Sequence, residues 1–291
     1  MPPMPAPRCW AKAGWNSASS DPPVDHPWQP PAWPAVLFSG HPAFAALGPW
    51  LDRLGGFPDL TDWQRLAPVF TRSGHALTCV DPASLTRYYE AEIHELGRIA
   101  TRPLNWHDCF NALVWHAYPR TKAALNVLHH RLLPMTGNGQ RGPVRDAATL
   151  FDECGLILPY CDEALAGALR DHDWRTLFVT RRAAWGTQIE AQVFGHATFE
   201  NLLAPFVGLT GKCWPIAVAP AYFDWPLPQR MAWLDACLAA AIDADMLQSP
   251  RQLPPLPYLG IPGWWPTQDD AFYADAGYFR PRRKHRTPSP P

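Results

Sequence analysis

The spacing of apolar side chains predicts helices over much of this chain. In the segment HPAFAALGPWLDRLGG, residues 41–56, the side chains of Phe44, Leu47, Leu51 and Leu54 recur at helical intervals. The two glycines that close this segment signal the end of a helix. The same reasoning predicts further helices within residues 59–68, 105–118, 119–133, 144–154, 162–172 and 226–247, and one after Gly195.

Short apolar runs between turn residues predict a few strands, namely ALTCV (76–80), GLILPY (155–160) and CWPIAVAP (213–220). The segment TRYYEAEIHELGRI, residues 86–99, fits the period of a helix and of a strand. We favour a strand there, because the paired tyrosines and the later Gly97 suit a hairpin. Residues 249–266 contain prolines throughout, so we expect an extended segment on the surface.

These elements predict an α+β fold, in the form of a predominantly helical single domain with a small sheet and Pro-rich extended connections. We place this domain at residues 34–281. Residues 1–33 are rich in Pro, Ala and Ser, which is typical of a disordered or loosely docked arm. Residues 282–291 form a basic, Pro-rich tail.

Composition narrows the classes of function. The net charge of −1 gives no overall field that would attract nucleic acid or anionic lipid. No apolar run of the length of a membrane span or a signal peptide occurs, so we expect a cytoplasmic protein without a membrane partner. The sequence also contains no G-x-S-x-G, P-loop or G-x-G-x-x-G motif.

The seven cysteines are scattered and form no CxxC pair. This argues against a zinc knuckle and against a disulfide framework, so we expect reduced, mostly buried thiols. Cys109 and Cys154 each follow an acidic residue, Asp108 and Glu153. Because a neighbouring carboxylate raises the pKa of a thiol, a thiol enzyme built on either is disfavoured.

Candidate chemistry begins in the segment NWHDCFNALVW, residues 105–115. Asn105 is a suitable N-cap, and Asp108 three residues later resembles a capping box. His107 and Asn111 share one helix face. On the following helix the polar face carries Lys122, Asn126 and His129. If the chain folds back at Pro119, these two polar faces converge.

Two further segments add carboxylates and a histidine. In RDAATLFDE, Asp146 and Glu153 share a face, and in GHATFE, His196 and Glu200 are four residues apart. A divalent metal needs three or four nitrogen or oxygen ligands in a partly closed cavity. The candidate ligands, or alternatively acid and base groups, are His107, Asp146, Glu153 and His196. Zinc would prefer the histidines, whereas more carboxylate ligands would favour manganese or magnesium.

This set leads to a metal-assisted hydrolase acting on a polar or phosphorylated substrate as the first hypothesis. The predicted substrate-binding residues are Asn111, Arg120, Lys122, Asn126, His129 and Arg145, of which the two arginines would hold negative charge on the substrate. The alternative is a non-catalytic binding protein for a small or phosphorylated ligand, with weak nucleic-acid contact through the basic tail. A structural polar core without catalysis is the third hypothesis.

Five segments in a fixed order resemble a known family. They are NWHDCFNALVWHAYPRTKAALNVLHH, RDAATLFDECG, FGHATFE, PLPYLGIPGW and FRP, and they resemble the proteobacterial family called domain of unknown function 3025 over residues 35–281. The resemblance implies a bacterial, cytoplasmic, single-domain protein, and it implies no activity, substrate or cofactor. Cys109 and Cys154 stand where the family pattern leads us to expect an apolar and a small residue.

Overall fold

The computed structural model describes residues 32–133 and 142–282. The chain divides into two units, residues 1–32 and residues 33–291. Of the first unit only residue 32 is described. The arm predicted over residues 1–33 and the basic tail predicted over residues 282–291 therefore lie almost wholly outside the described residues, and both stay predictions.

The unit that begins at residue 33 is predominantly helical. Its α-helices in the described ranges are α1 (Ala35–Gly40), α2 (Gly48–Leu54), α3 (Leu60–Gln64), α4 (Tyr89–Leu96), α5 (Trp106–Ala117), α6 (Pro119–Leu132), α7 (Pro143–Cys154), α8 (Glu163–Asp171), α9 (His196–Asn201), α10 (Leu227–Asp243) and α11 (Asp270–Tyr273). Short 3₁₀ helices cover Pro42–Leu47, Pro82–Ser84, Arg182–Ala184, Pro220–Asp224, Pro250–Gln252 and Tyr258–Gly260, and a π-helical turn covers Thr176–Thr180. None of the helices described here has the length and apolar character needed to cross a membrane.

Six strands form two small sheets in the described part of the chain. They are β1 (Thr78–Val80), β2 (Arg98–Ala100), β3 (Gly155–Tyr160), β4 (Gln192–Val193), β5 (Thr210–Ala217) and β6 (Pro255–Pro257). β1 and β2 pair in parallel, and the larger sheet has the order β4-β3-β5-β6. β3 and β5 are parallel, whereas β4 and β6 run antiparallel at the edges. The predicted α+β class is confirmed.

Helix α7 packs on the larger sheet. Its Phe151 stacks on Phe194 with ring centroids 4.7 Å apart and meets Trp214 of β5 edge-on at 5.1 Å. No loop separates α7 from β3, because Gly155 follows Cys154 directly. Only two residues separate β4 from α9. These short connections hold the last turn of α7 next to the first turn of α9.

The polar faces of α5 and α6 meet, as the fold-back at Pro119 predicted. Lys122 of α6 donates a hydrogen bond to Asn111 Oδ1 of α5 at 2.9 Å. The first turn of α6 is held from α10, where buried Asp235 accepts hydrogen bonds from the backbone N–H groups of Arg120 and Thr121, at 3.0 and 2.8 Å. A carboxylate at this position also suits the positive end of the helix dipole.

The strand favoured within residues 86–99 was wrong, because residues Tyr89–Leu96 form helix α4. Gly97 has φ of 67° and ends this helix in the left-handed conformation, so it is a C-cap and no hairpin turn. Glu92 accepts hydrogen bonds from the backbone N–H groups of Thr86 and Arg87, which ties the start of the helix to the preceding chain. Strand propensity takes no account of the left-handed conformation of Gly97 or of the hydrogen bonds to Glu92.

Two smaller expectations also need correction. The Pro-rich segment 249–266 does avoid a long helix and the sheet interior, since β6 is an edge strand, but it does not wrap the surface. Its Leu256, Tyr258 and Leu259 are fully buried in the core. Asn105 caps α5 by accepting from Asp108 N at 3.0 Å, as predicted. The carboxylate of Asp108 binds Arg102, however, so the capping box is incomplete.

Candidate metal centre

Three helix ends bring His107, Glu153 and His196 together. His107 is the second residue of α5, Glu153 the last but one of α7, and His196 the first of α9. Each offers one ligand atom, and these atoms all lie within 4.8 Å of one another. The cluster therefore presents two imidazole nitrogens and one carboxylate oxygen, a donor set that zinc and other divalent transition metals bind.

The three ligand atoms lie close enough together to reach a single ion. His107 Nε2 and His196 Nε2 are 3.0 Å apart. Glu153 Oε2 lies 3.4 Å from His196 Nε2 and 3.9 Å from His107 Nε2. The circle through these three atoms has a radius of about 2.0 Å, which is the usual length of a zinc–nitrogen bond. A point in the plane of the three atoms is therefore about one bond length from each, and an ion with a fourth ligand would lie slightly out of that plane.

Close backbone packing fixes the position of His196 relative to Glu153. A Cβ atom on Gly195 would lie 2.4 Å from the carbonyl oxygen of Glu153 and 2.4 Å from the backbone nitrogen of Gly155. Only glycine permits the chain before α9 to touch the end of α7 in this way. The sequence Gly195–His196 therefore places an imidazole beside the Glu153 carboxylate.

Glu200 orients His107. Its carboxylate accepts a hydrogen bond from His107 Nδ1 at 3.1 Å, and this bond holds the ring with Nε2 directed at the cluster. Burial opposes the charged form of this ring, but Glu200 and then Glu153 outweigh it and raise the pKa of His107 above its ordinary value. Glu200 is four residues after His196, so α9 supplies one candidate ligand and the partner of another.

His196 lies at the inner side of the cluster and is only 3% exposed. Burial lowers the pKa of His196 to about 3, so its ring is neutral near pH 7. A neutral imidazole is the form that binds metals. The nearest charged neighbour of its Nδ1 atom is Asp152, whose Oδ2 lies 3.8 Å away.

Asp152 forms an ion pair with buried Lys122. Lys122 Nζ lies 2.5 Å from Asp152 Oδ1, and it also donates to Asn111. The ammonium lies 5.6 Å from the ring centroid of Trp115, within cation–π range. Burial acts to raise the pKa of Asp152, but Lys122 prevails and the pKa lies below its ordinary value. The carboxylate next to His196 is therefore held ionised.

The cluster is open to solvent on the side opposite His196. The exposed fraction of the side chain is 32% for His107, 38% for Glu153 and 45% for Glu200, against 4% for His196. Three protein ligands with an open side differ from the closed four-ligand arrangement of structural zinc sites. A water molecule or a substrate atom has room to complete the coordination of an ion here.

A family model for proteins of unknown function, DUF3025, matches residues 78–283 of the chain. This chain belongs to the DUF3025 family. The match covers all three clustered side chains and confirms the family that the motifs indicated. No curated protein matches the chain, and no solved structure does.

In this DUF3025 protein the structure does not bring all four predicted ligands together. Asp146 lies in the first turn of α7, seven residues before Glu153, and its carboxylate is not among the atoms of the cluster. Two helical turns correspond to about 10 Å along the axis, too far for both side chains to reach one ion. Glu200 and Asp152 take the supporting positions instead, although the sequence reasoning assigned neither to the site.

The predicted substrate-binding residues fall into two groups. Four of them are buried, namely Asn111, Lys122, Asn126 and His129. Asn126 donates to the backbone and the carboxylate of Glu90. Asn126 Oδ1 has no hydrogen-bond partner among the described residues, and Lys122, Asn126 and His129 line a cavity of only about 10 Å³, about the size of one water molecule.

The two predicted arginines of the DUF3025 domain lie outside that buried network. Arg120 is exposed at the start of α6. Arg145 donates to the hydroxyl of Tyr88 at 2.5 Å and lies over its ring. Neither makes an ion pair with a described residue of the cluster, and their role in substrate binding stays a prediction.

Proposed function

We propose that this DUF3025 protein is a zinc-dependent hydrolase of a polar or phosphorylated substrate. The observation that carries the proposal is the common distance of about 2.0 Å from one point to His107 Nε2, His196 Nε2 and Glu153 Oε2, equal to a zinc–ligand bond. Two nitrogen donors against one oxygen favour zinc over magnesium or manganese.

Each residue has a defined part in this proposal. His107, His196 and Glu153 hold the ion, and Glu200 keeps the His107 ring in the tautomer that binds it. Bound zinc would lower the pKa of a coordinated water to about 7 and polarise a carbonyl or phosphoryl oxygen. The exposed side of the cluster gives the substrate access to that position.

The first test is metal binding by the purified full chain. After chelation and dialysis the protein is loaded with Zn²⁺, Mn²⁺ or Mg²⁺ in parallel, and bound metal is counted by mass spectrometry. We expect one Zn²⁺ per chain, with an affinity at least about 100-fold lower in Glu153→Gln and His196→Asn, because each replaces a zinc ligand by a neutral amide, a poor zinc donor, and outer partners alone account for 10–100-fold. Absence of stoichiometric zinc would overturn the proposal.

The matched control is Asp146→Asn. It removes a carboxylate from the same helix α7 that carries Glu153, and it leaves the clustered atoms in place. We expect its zinc affinity to equal that of the unmodified protein. Equal losses in Asp146→Asn and Glu153→Gln would mean that the metal is held elsewhere.

The second test is turnover. p-Nitrophenyl phosphate and p-nitrophenyl acetate are offered to the metal-free chain, the zinc-loaded chain and zinc-loaded Asp146→Asn. We expect zinc-dependent hydrolysis of at least one ester, retained in Asp146→Asn and lost in Glu153→Gln. If the zinc-loaded protein hydrolyses neither ester, the metal site stands and the proposed hydrolase activity is contradicted.

A further inference from the structure

A cavity lies apart from the candidate metal centre. Its volume is about 330 Å³, and its walls come from the 3₁₀ helix Pro42–Leu47, residues 182–193, the start of α10 and residues 261–264. None of the three clustered side chains lines it. Phe44, on the same 3₁₀ helix, packs against Phe199 of α9 with centroids 5.6 Å apart. The volume lies at the lower end of the range for small-molecule sites.

Small residues create the hollow, and two fixed indole rings line it. Ala43, Ala45, Ala46 and Ala191 stand at the walls where larger side chains would fill the space. Trp185 donates its Nε1–H to the carbonyl oxygen of Leu177 at 2.8 Å, which fixes its ring. Trp264 is only 4% exposed and packs against Tyr258 and His41. Rigid aromatic walls of this kind favour a flat apolar group.

The one carboxylate that lines the cavity already accepts hydrogen bonds from three donors. Glu190 accepts hydrogen bonds from Tyr222 Oη at 2.8 Å and from Gln192 Nε2 at 2.7 Å, and it pairs with Arg230. Gln192 in turn accepts from Tyr118 at 2.9 Å. A carboxylate with three donors has little capacity left for a cationic ligand.

Arg182 leaves the lining with a net positive charge. Its guanidinium donates to Tyr273 Oη at 2.9 Å and to Gln268 Oε1 at 2.8 Å, and both acceptors are neutral. No carboxylate among the described residues forms an ion pair with it. The charged groups that line the cavity are Arg182, Arg230 and Glu190, and they sum to one positive charge.

We propose that this cavity binds a small carboxylic acid with a flat apolar body. The ligand carboxylate pairs with the N–H groups of Arg182 that remain beside its bonds to Tyr273 and Gln268, and the body lies against Trp185 and Trp264. This site is independent of the proposed hydrolase, because it shares no residue with the metal cluster.

The experiment compares three ligands that share one skeleton, namely phenylacetate, 2-phenylethanol and 2-phenylethylamine. Binding to the full chain is measured by calorimetry and ligand-observed NMR at fixed ionic strength. We expect phenylacetate to bind at least about 10-fold more tightly than the alcohol, because charge-assisted hydrogen bonds to the guanidinium add about one decade, and we expect the amine to bind most weakly. Equal affinities for all three, or no binding of phenylacetate, would overturn the proposal.

Two variants locate the binding. Arg182→Met removes the charge and keeps the stem, and Arg65→Met is the control at an exposed position of the chain near α3. We expect phenylacetate affinity to fall at least about 10-fold only in Arg182→Met, and Arg182→Lys to restore part of it. Undiminished binding in Arg182→Met would refute the site.

Arg182 also binds Tyr273 and Gln268, so its substitution could disturb the cavity wall as well as remove the charge. A variant that fills the cavity separates these two effects. Ala45 lines the cavity but is exposed, so Ala45→Phe occupies its mouth without entering the core. We expect an unchanged melting temperature and a loss of binding of all three ligands. Retained binding would place the ligand outside this cavity.

Discussion

Gly195→Ala tests the contact on which the candidate metal centre depends. The added methyl group would lie 2.4 Å from the carbonyl oxygen of Glu153, 2.4 Å from Gly155 N and 2.6 Å from Cys154 N. Ordinary contact begins at 3.4 Å, so α7 and the start of α9 must separate by about 1 Å. All three atoms belong to the backbone, so no side-chain rotation can relieve the clash. We expect the free energy of unfolding to fall by about 1–3 kcal/mol.

The same displacement acts on the cluster. His196 is bonded directly to residue 195, and its Nε2 atom lies 3.4 Å from Glu153 Oε2. Metal–ligand distances tolerate about 0.2 Å, so a separation of about 1 Å disrupts the arrangement. We expect zinc affinity to fall at least about 10-fold, by analogy with the loss of an outer partner. Urea unfolding of the metal-free chain and competition with a chromogenic chelator measure the two effects separately.

Gly167→Ala is the matched control. Gly167 lies inside α8, and a Cβ atom there would meet nothing within 4 Å. Because alanine is the better helix former, this variant should be more stable by about 0.5–1 kcal/mol and should bind zinc normally. If Gly195→Ala matches the control in stability and in zinc affinity, the described contact between α7 and α9 is wrong.

Three further predictions concern buried and half-buried polar groups. Lys122→Met leaves Asp152 without its cation and should cost about 3–5 kcal/mol in urea unfolding, and Lys122→Met/Asp152→Leu should recover most of it, so additive losses would contradict the pairing. Burial lowers the pKa of His116 from 6.5 to about 4, so the unfolded chain takes up the proton first and stability is lost as pH falls from 6.5 to 4. The loss is on the order of 3 kcal/mol, and His116→Phe should remove that part of the pH profile, whereas an unchanged profile would refute it. Asp235→Ala strips the acceptor from the N–H groups of Arg120 and Thr121 and should cost about 2 kcal/mol in urea unfolding, more than Asp235→Asn, and equal losses would exclude a capping role.

The elements predicted correctly are those whose signals are local. The apolar run GLILPY became the central strand β3, because a strand buried on both faces needs no alternation. The periodic segment around Met231 and Leu238 became α10. Residues 89–96 failed because Tyr89, Ile93 and Leu96 fit a helix while Tyr89, Ala91 and Ile93 fit a strand. The bonds of Glu92 to the backbone N–H groups of Thr86 and Arg87 favour the helix. The buried Pro-rich segment failed because proline content predicts missing donors, not position relative to the core.

The candidate site shows what helix-face reasoning can and cannot supply. Asp146 and Glu153 lie on one face of α7, so the sequence could not choose between them. The choice depends on which turn of α7 lies next to the first turns of α5 and α9. The direct connection from α7 to β3 and the contact of Gly195 with the end of α7 make it the last turn. Glu200 was visible as the residue four after His196, yet the ring that it orients belongs to His107, 93 residues away. Spacing along one helix indicates which side chains lie on the same face. A metal centre needs side chains from different helices to meet at one point, and spacing within a helix does not predict that.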